Sequence, residues 1–136
     1  DRLDDFIAVR KRNFDWLSER LAGSADQLIL PQATPGSDPS WFGFPITLRD
    51  GCGVERVELL RYLDEQRGGT RLLFAGNLTR QPYMQAQQYR VSGELKITDK
   101  VMRDTFWIGL WPGLGEAHLE HAARSIESFV KRGRGE

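Results

Sequence analysis

The sequence predicts an α+β fold: a small antiparallel or mixed sheet of about three strands with helices packed on one face. Three observations predict it. Apolar residues recur with helical period in some segments and with strand character in others. These segments follow the order helix, strand, helix, strand, loop and helix, strand, helix. Stretches rich in Gly and Pro separate them.

The first helix is expected from about Asp4 to Leu21. Leu3, Ile7, Arg10, Phe14, Leu17 and Leu21 recur every three or four residues, Phe6 widens the stripe, and Gly23 supplies a stop signal. Arg10 is its one polar member. The apolar face packs on this domain's own sheet or belongs in part to a contact with another domain.

Residues 31–40, PQATPGSDPS, form a loop. Trp41 to Leu48 reads as a strand whose Phe42, Phe44, Ile46 and Leu48 face the core. Pro45 cannot donate to a ladder, which places this strand at an edge or gives it a bulge. A turn at 50–53 leads into a second helix carrying Val54, Val57, Leu59, Leu60 and Leu63, ended by Gly68 and Gly69. Thr70 to Phe74 is a short strand, 75–88 a polar connection containing Pro82, and Leu95 to Arg103 a helix. Phe106 to Trp111 is apolar and aromatic, as a central strand should be, and Pro112 and Gly113 break it. Leu119, Ala122, Ala123, Ile126, Phe129 and Val130 mark the last helix, whose tail KRGRGE is expected to fray.

The 136 residues suit one domain with a core of its own. Nineteen basic and nineteen acidic side chains cancel, so nucleic acid is not an expected partner. No apolar run reaches the ~18 residues of a membrane span, and no signal peptide is evident, so a membrane is not expected either. Cys52 is the single cysteine. It cannot close an internal disulfide or alone hold zinc or an iron–sulfur cluster, and a chain without a disulfide framework is expected in the cytoplasm. The chain opens directly into a helical pattern without a methionine and so reads as a piece of a longer protein.

Groups that could carry chemistry are sparse. His118 and His121 lie three apart on the last helix, beside Glu120, and read as a solvated face. There is no H-E-x-x-H pattern, no Gly-rich phosphate loop after a strand and no nucleophile elbow. No catalytic, cofactor-binding or metal-ligating residue is therefore expected. Cys52 precedes a helix, where a thiolate would be favoured, but reads as an inert turn residue. Among Trp41, Trp107 and Trp111, Trp107 is expected in the core, while Trp111 can pack or stack on a ligand.

One segment differs from plain scaffold. RLLFAGNLTRQPY, 71–83, carries a strand into a Gly-containing turn and then groups Asn77, Thr79, Arg80 and Gln81 before Tyr83. Arg offers a planar fork for phosphate or carboxylate, and Asn and Gln can bond sugar hydroxyls both ways. Two readings stand: a ligand-contacting loop, or a surface connection with a helix start near Pro82.

ATPGSDPSWFGFPITL (33–48), GTRLLFAGNLTRQPY (69–83) and GELKITDKVMRDTFWIGLWPGL (93–114) together resemble the C-terminal part of the DegT-type sugar aminotransferase/dehydratase family. The likeness is to its 3-dehydrase branch, acting on CDP-linked 4-keto-6-deoxyglucose in lipopolysaccharide biosynthesis, and FAGNLTRQPY is the stretch characteristic of that branch. It extends over nearly the whole chain. The resemblance implies a fold-type-I, B6-dependent homodimer that uses pyridoxamine phosphate. It implies an iron–sulfur cluster fed by a flavin/iron–sulfur reductase, and a nucleotide-linked keto-sugar that loses its 3-hydroxyl. Those cofactors belong to a large domain outside this chain, so the piece alone is expected to be inactive. On this reading 1–24 is the helix linking from the large domain and 25–136 is the C-terminal small domain, which closes one side of the substrate cleft. Substrate contacts fall on Phe74, Asn77, Arg80 and Gln81. The competing readings are the small domain of a B6-dependent sugar aminotransferase and a freestanding sugar- or nucleotide-binding module.

Overall fold

A computed structural model describes residues 2–133. Helix α1, Arg2–Leu21, ends in a single 3-10 turn and leads to β1, Leu28–Ile29. Then follow β2, Gly43–Leu48; α2, Arg56–Glu65; β3, Thr70–Leu72; α3, Lys96–Asp104; β4, Thr105–Gly109; and α4, Glu116–Arg132. All strand pairs are antiparallel, in the order β1-β2-β4-β3. Among the described residues the sheet thus has four strands against the expected count of about three. The extra one, β1, is two residues long and too short to show a period.

The connection β2-α2-β3 is a crossover. Both strands run antiparallel to β4, which lies between them, so β2 and β3 share a direction. Residues on one face of the sheet, Phe44, Ile46, Leu48, Phe106 and Ile108, meet Phe14, Leu17 and Leu21 of α1, Leu59 and Leu63 of α2, and Leu119, Ala123, Ile126 and Val130 of α4 in one core. α3 contributes no fully buried residue. Arg20 clasps α1 to α4 through Glu120 and Glu127, with N–O distances of 2.9 and 2.6 Å.

Three details correct the expectations. β2 is neither an edge strand nor bulged, yet Pro45 is tolerated. Arg49 N–H donates to Gln27 O beside β1, so by the two-residue period the Thr47 and Pro45 nitrogens point to the same side. β1 has already ended opposite Thr47, and no ladder bond is lost at Pro45. Phe42 does not face the core but is 69% exposed. It sits at a bend before β2, where the alternation stops, and Trp41 takes the core side, stacked on Phe14 at 4.0 Å between ring centroids. Trp107 lies on the face opposite the core residues, in register with Pro45 and Arg71, and donates from Nε1 to Leu72 O.

Arg10 belongs in the α1 stripe because its guanidinium reaches the carbonyls of Trp41 and Phe42 at 3.0 and 3.3 Å. Beyond it, Leu3 and Phe6 are exposed. Helix α2 ends in a Schellman motif, Gly68 N–H to Leu63 O and Arg67 N–H to Asp64 O. The left-handed residue there is Arg67, φ 61°, rather than either expected glycine. Of the tail KRGRGE, Lys131 and Arg132 are helical, and 134–136 lie outside the described residues.

Candidate functional site

The segment singled out from the sequence leaves the edge strand β3 and crosses to α3. Gly76 turns it at φ 65°, where a Cβ would lie 2.5 Å from Met102 Cγ, so only glycine lets the loop approach α3 this closely. Asn77 then caps a 3-10 turn, Leu78–Arg80. Its Oδ1 accepts from Thr79 N–H at 3.0 Å and Thr79 Oγ1 at 2.8 Å. Pro82 opens a second such turn, Pro82–Met84, as its fixed φ allows.

The four predicted site residues divide. Asn77 and Arg80 converge on Asp99 of α3. Asn77 Nδ2 donates to Asp99 Oδ1 at 2.6 Å, and Arg80 donates from Nε at 3.2 Å and Nη2 at 2.8 Å to the two carboxylate oxygens. These donors hold the Asp99 carboxyl down at about 2, the Arg80 guanidinium first and the Asn77 amide second. Asn77 is only 1% exposed, so it cannot meet a ligand without leaving this network. Arg80, with a side chain 64% exposed, can. Gln81 folds back to donate to Ala75 O at 2.7 Å.

Phe74 stands apart from them. It is 85% exposed and adopts φ 50°, a conformation rare for a bulky residue. It joins Phe42, Pro45, Leu73 and Trp107 around a shallow apolar depression of about 200 Å³ on the sheet face opposite the core. Phe42 and Trp107 are 5.0 Å apart in a tilted pair. Phe74 also borders a second cleft, of about 290 Å³, lined by Gly76, Gln81, Met102 and Arg56. Arg56 caps the end of α3, donating to Met102 O at 2.8 Å and Thr105 O at 2.9 Å. Sequence reasoning missed Asp99 and Arg56. Each lies far along the chain from its partners, and nothing in spacing connects them.

The histidines serve local ends. His118 Nδ1 accepts from Gly115 N–H at 3.2 Å, and His121 Nε2 lies 2.8 Å from Gln66 O. Cys52 is buried in its turn with Sγ near Val54 O. Among the described residues no cluster of three or more metal-ligating side chains occurs, and no helix is long and apolar enough to cross a membrane.

Lys100 is bound to Asp50, Asp104 and Leu48 O. Burial acts to lower its ammonium pKa, but the hydrogen bonds to Asp50 and Asp104 outweigh it and the net shift is upward, so Lys100 is not placed as an imine-forming lysine, which requires a lowered value.

The sequence profile of the DegT/DnrJ/EryC1/StrS aminotransferase family matches residues 1–127. The lipopolysaccharide biosynthesis protein RfbH of Salmonella typhimurium is 54% identical over 129 residues, covering 95% of this chain and 30% of the relative. The dTDP-4-dehydro-2,6-dideoxy-D-glucose 3-dehydratase of Saccharopolyspora spinosa is 41% identical, covering 96% and 28%. The chain therefore spans less than a third of the length of these relatives. Two solved structures share the fold: GDP-4-keto-6-deoxymannose-3-dehydratase (ColD), a mutant with bound GDP-perosamine, and E coli GDP-4-keto-6-deoxy-D-mannose-3-dehydratase with bound hydrated PLP. Each has a TM-score of 0.82 at 21% identity, covering 92% of this chain and 32% of theirs.

Proposed function

The chain belongs to the DegT/DnrJ/EryC1/StrS aminotransferase family, and from that premise we propose that it is the substrate-side small domain of a pyridoxamine-phosphate-dependent nucleotide-sugar 3-dehydratase. The whole enzyme would make 3,6-dideoxy sugars for lipopolysaccharide O-antigen in the cytoplasm. The named relatives support the reaction class. On this reading 1–24 links from a large domain and 25–136 forms the small one. The large domain holds the B6 group and an iron–sulfur cluster, a flavin/iron–sulfur reductase supplies electrons, and the enzyme works as a homodimer. B6 supplies the electron sink for loss of the 3-hydroxyl. This chain's part is to bind and orient the sugar nucleotide.

The observation that carries the proposal is Phe74. A bulky residue held at φ 50° persists only where its surroundings impose it, and here it places an aromatic ring in solvent beside Trp107 and Phe42. Stacking on a base or sugar ring suits that surface. Arg80 is the exposed cation of the same loop, and Asn77 and Gln81 hold the loop's shape.

The test is steady-state kinetics of the full-length enzyme with pyridoxamine phosphate, a reductase and CDP-, GDP- or dTDP-linked 4-keto-6-deoxyhexoses, following loss of the 3-hydroxyl. Phe74→Ala should raise KM about tenfold, near the 1–1.5 kcal/mol of an aromatic contact. The 136-residue chain alone should show no turnover. Unchanged kinetics in Phe74→Ala would remove the loop from the cleft. The family's aminotransferase side is the second reading, and it predicts amino-group transfer to the same ketosugars without any reductase.

A further inference from the structure

Resting on that reading, we infer that Asp99 is a positioning residue that aims Arg80 at the diphosphate of a bound sugar nucleotide. A guanidinium has two edges that can each make paired hydrogen bonds, one through Nε and an Nη, the other through the two Nη groups. Asp99 takes the first, by way of Nε and Nη2. The Nη1 side of the second edge has no protein partner among the described residues, and the Arg80 side chain is 64% exposed. That edge matches two phosphate oxygens.

Asp99 is in turn fixed by Asn77, which is buried and anchored by the 3-10 turn it caps. Orientation thus passes from a buried amide through a carboxylate to an exposed fork. Stability alone is a poor reason for the pair, because an exposed ion pair adds little to folding. A fixed fork loses less freedom when it meets an anion than a swinging one does.

The experiment uses the full-length enzyme, with two readouts: KM for the ketosugar nucleotides and Kd for the free nucleoside diphosphates CDP, GDP and dTDP. Arg80→Ala should raise both by about ten- to a hundredfold. Asp99→Asn should raise both about tenfold, with kcat changed less than about twofold and no shift in the Kd for the free nucleoside. Asp99→Glu keeps the charge and should recover most of the loss. The double variant should be no worse than Arg80→Ala, because Asp99 acts through Arg80.

An Asp99→Asn effect that persists undiminished without Arg80 overturns the inference. So does an unchanged Kd in either single variant. If Asp99→Asn does not fold, Arg80→Lys decides: it keeps the charge and loses the two-edged fork, so Kd for the diphosphate must rise, and an unchanged value overturns the inference. A wild-type enzyme that binds nucleoside diphosphate but turns over no ketosugar sinks the proposed function instead, and the Kd comparison still decides on Asp99.

Discussion

Asn77 and Asp99, 22 positions apart, are joined by a hydrogen bond of 2.6 Å from Nδ2 to Oδ1. Through it the loop after β3 is tied to α3, and the exposed Phe74 and Arg80 inherit a fixed frame. Asn77 makes three side-chain hydrogen bonds while almost fully buried. Asn77→Ala should therefore cost about 1–3 kcal/mol, by losing a cap and leaving polar groups unpaired. The measurement is the urea midpoint of the chain. A loss below about 0.5 kcal/mol, the usual size of an exposed substitution, would deny Asn77 its anchoring role.

The same contact sets a pH dependence. The Asp99 carboxyl titrates at about 2 in the folded chain, against about 3.9 in an unfolded one. A depressed carboxylate stabilises the fold fully above its unfolded value and loses that contribution as pH falls through the folded one. The stability gap between the wild-type chain and Asp99→Asn should be small, because solvent screens the exposed Arg80, but constant near neutrality, shrinking below about pH 4 and closing towards pH 2. A gap independent of pH across that window would contradict the ion pair.

Gly76 tests the loop's approach to α3. Alanine there meets Met102 and must hold φ 65°, so Gly76→Ala should destabilise by more than about 1 kcal/mol. Adding Met102→Ala removes the Cγ contact but leaves the residue-102 Cβ 2.7 Å from the new methyl, and the backbone strain stays, so the double variant should recover only part of its Gly76→Ala increment. Full recovery in equilibrium unfolding would assign the whole cost to the Cγ contact.

Arg67 offers a gain. It occupies the left-handed position of the Schellman turn that closes α2. Glycine holds that conformation without a Cβ penalty, so Arg67→Gly should stabilise the chain by about 0.5–1 kcal/mol. A lower thermal midpoint would show that Arg67 contributes a contact larger than its strain.

Much of this molecule is determined locally. The 3.6-residue period of α1, α2 and α4 and the two-residue period of Phe44, Ile46 and Leu48 are set by neighbours in the chain, so helices, strands and core could be read from sequence. Gly76 was likewise legible as a turn residue, whereas Asn77 read as a ligand contact and its capping role came from the structure. Only the tertiary structure decided what needs two distant segments at once. It added β1, which exists because Gln27 and Leu28 find Arg49 and Leu48, and it settled Pro45 by ending β1 before that nitrogen. It moved Phe42 outward because Trp41 already fills the place against Phe14. And it divided the loop's polar residues, giving Asn77 to the interior and Arg80 to solvent, because Asp99 reaches them from a helix that the loop's own sequence does not contain.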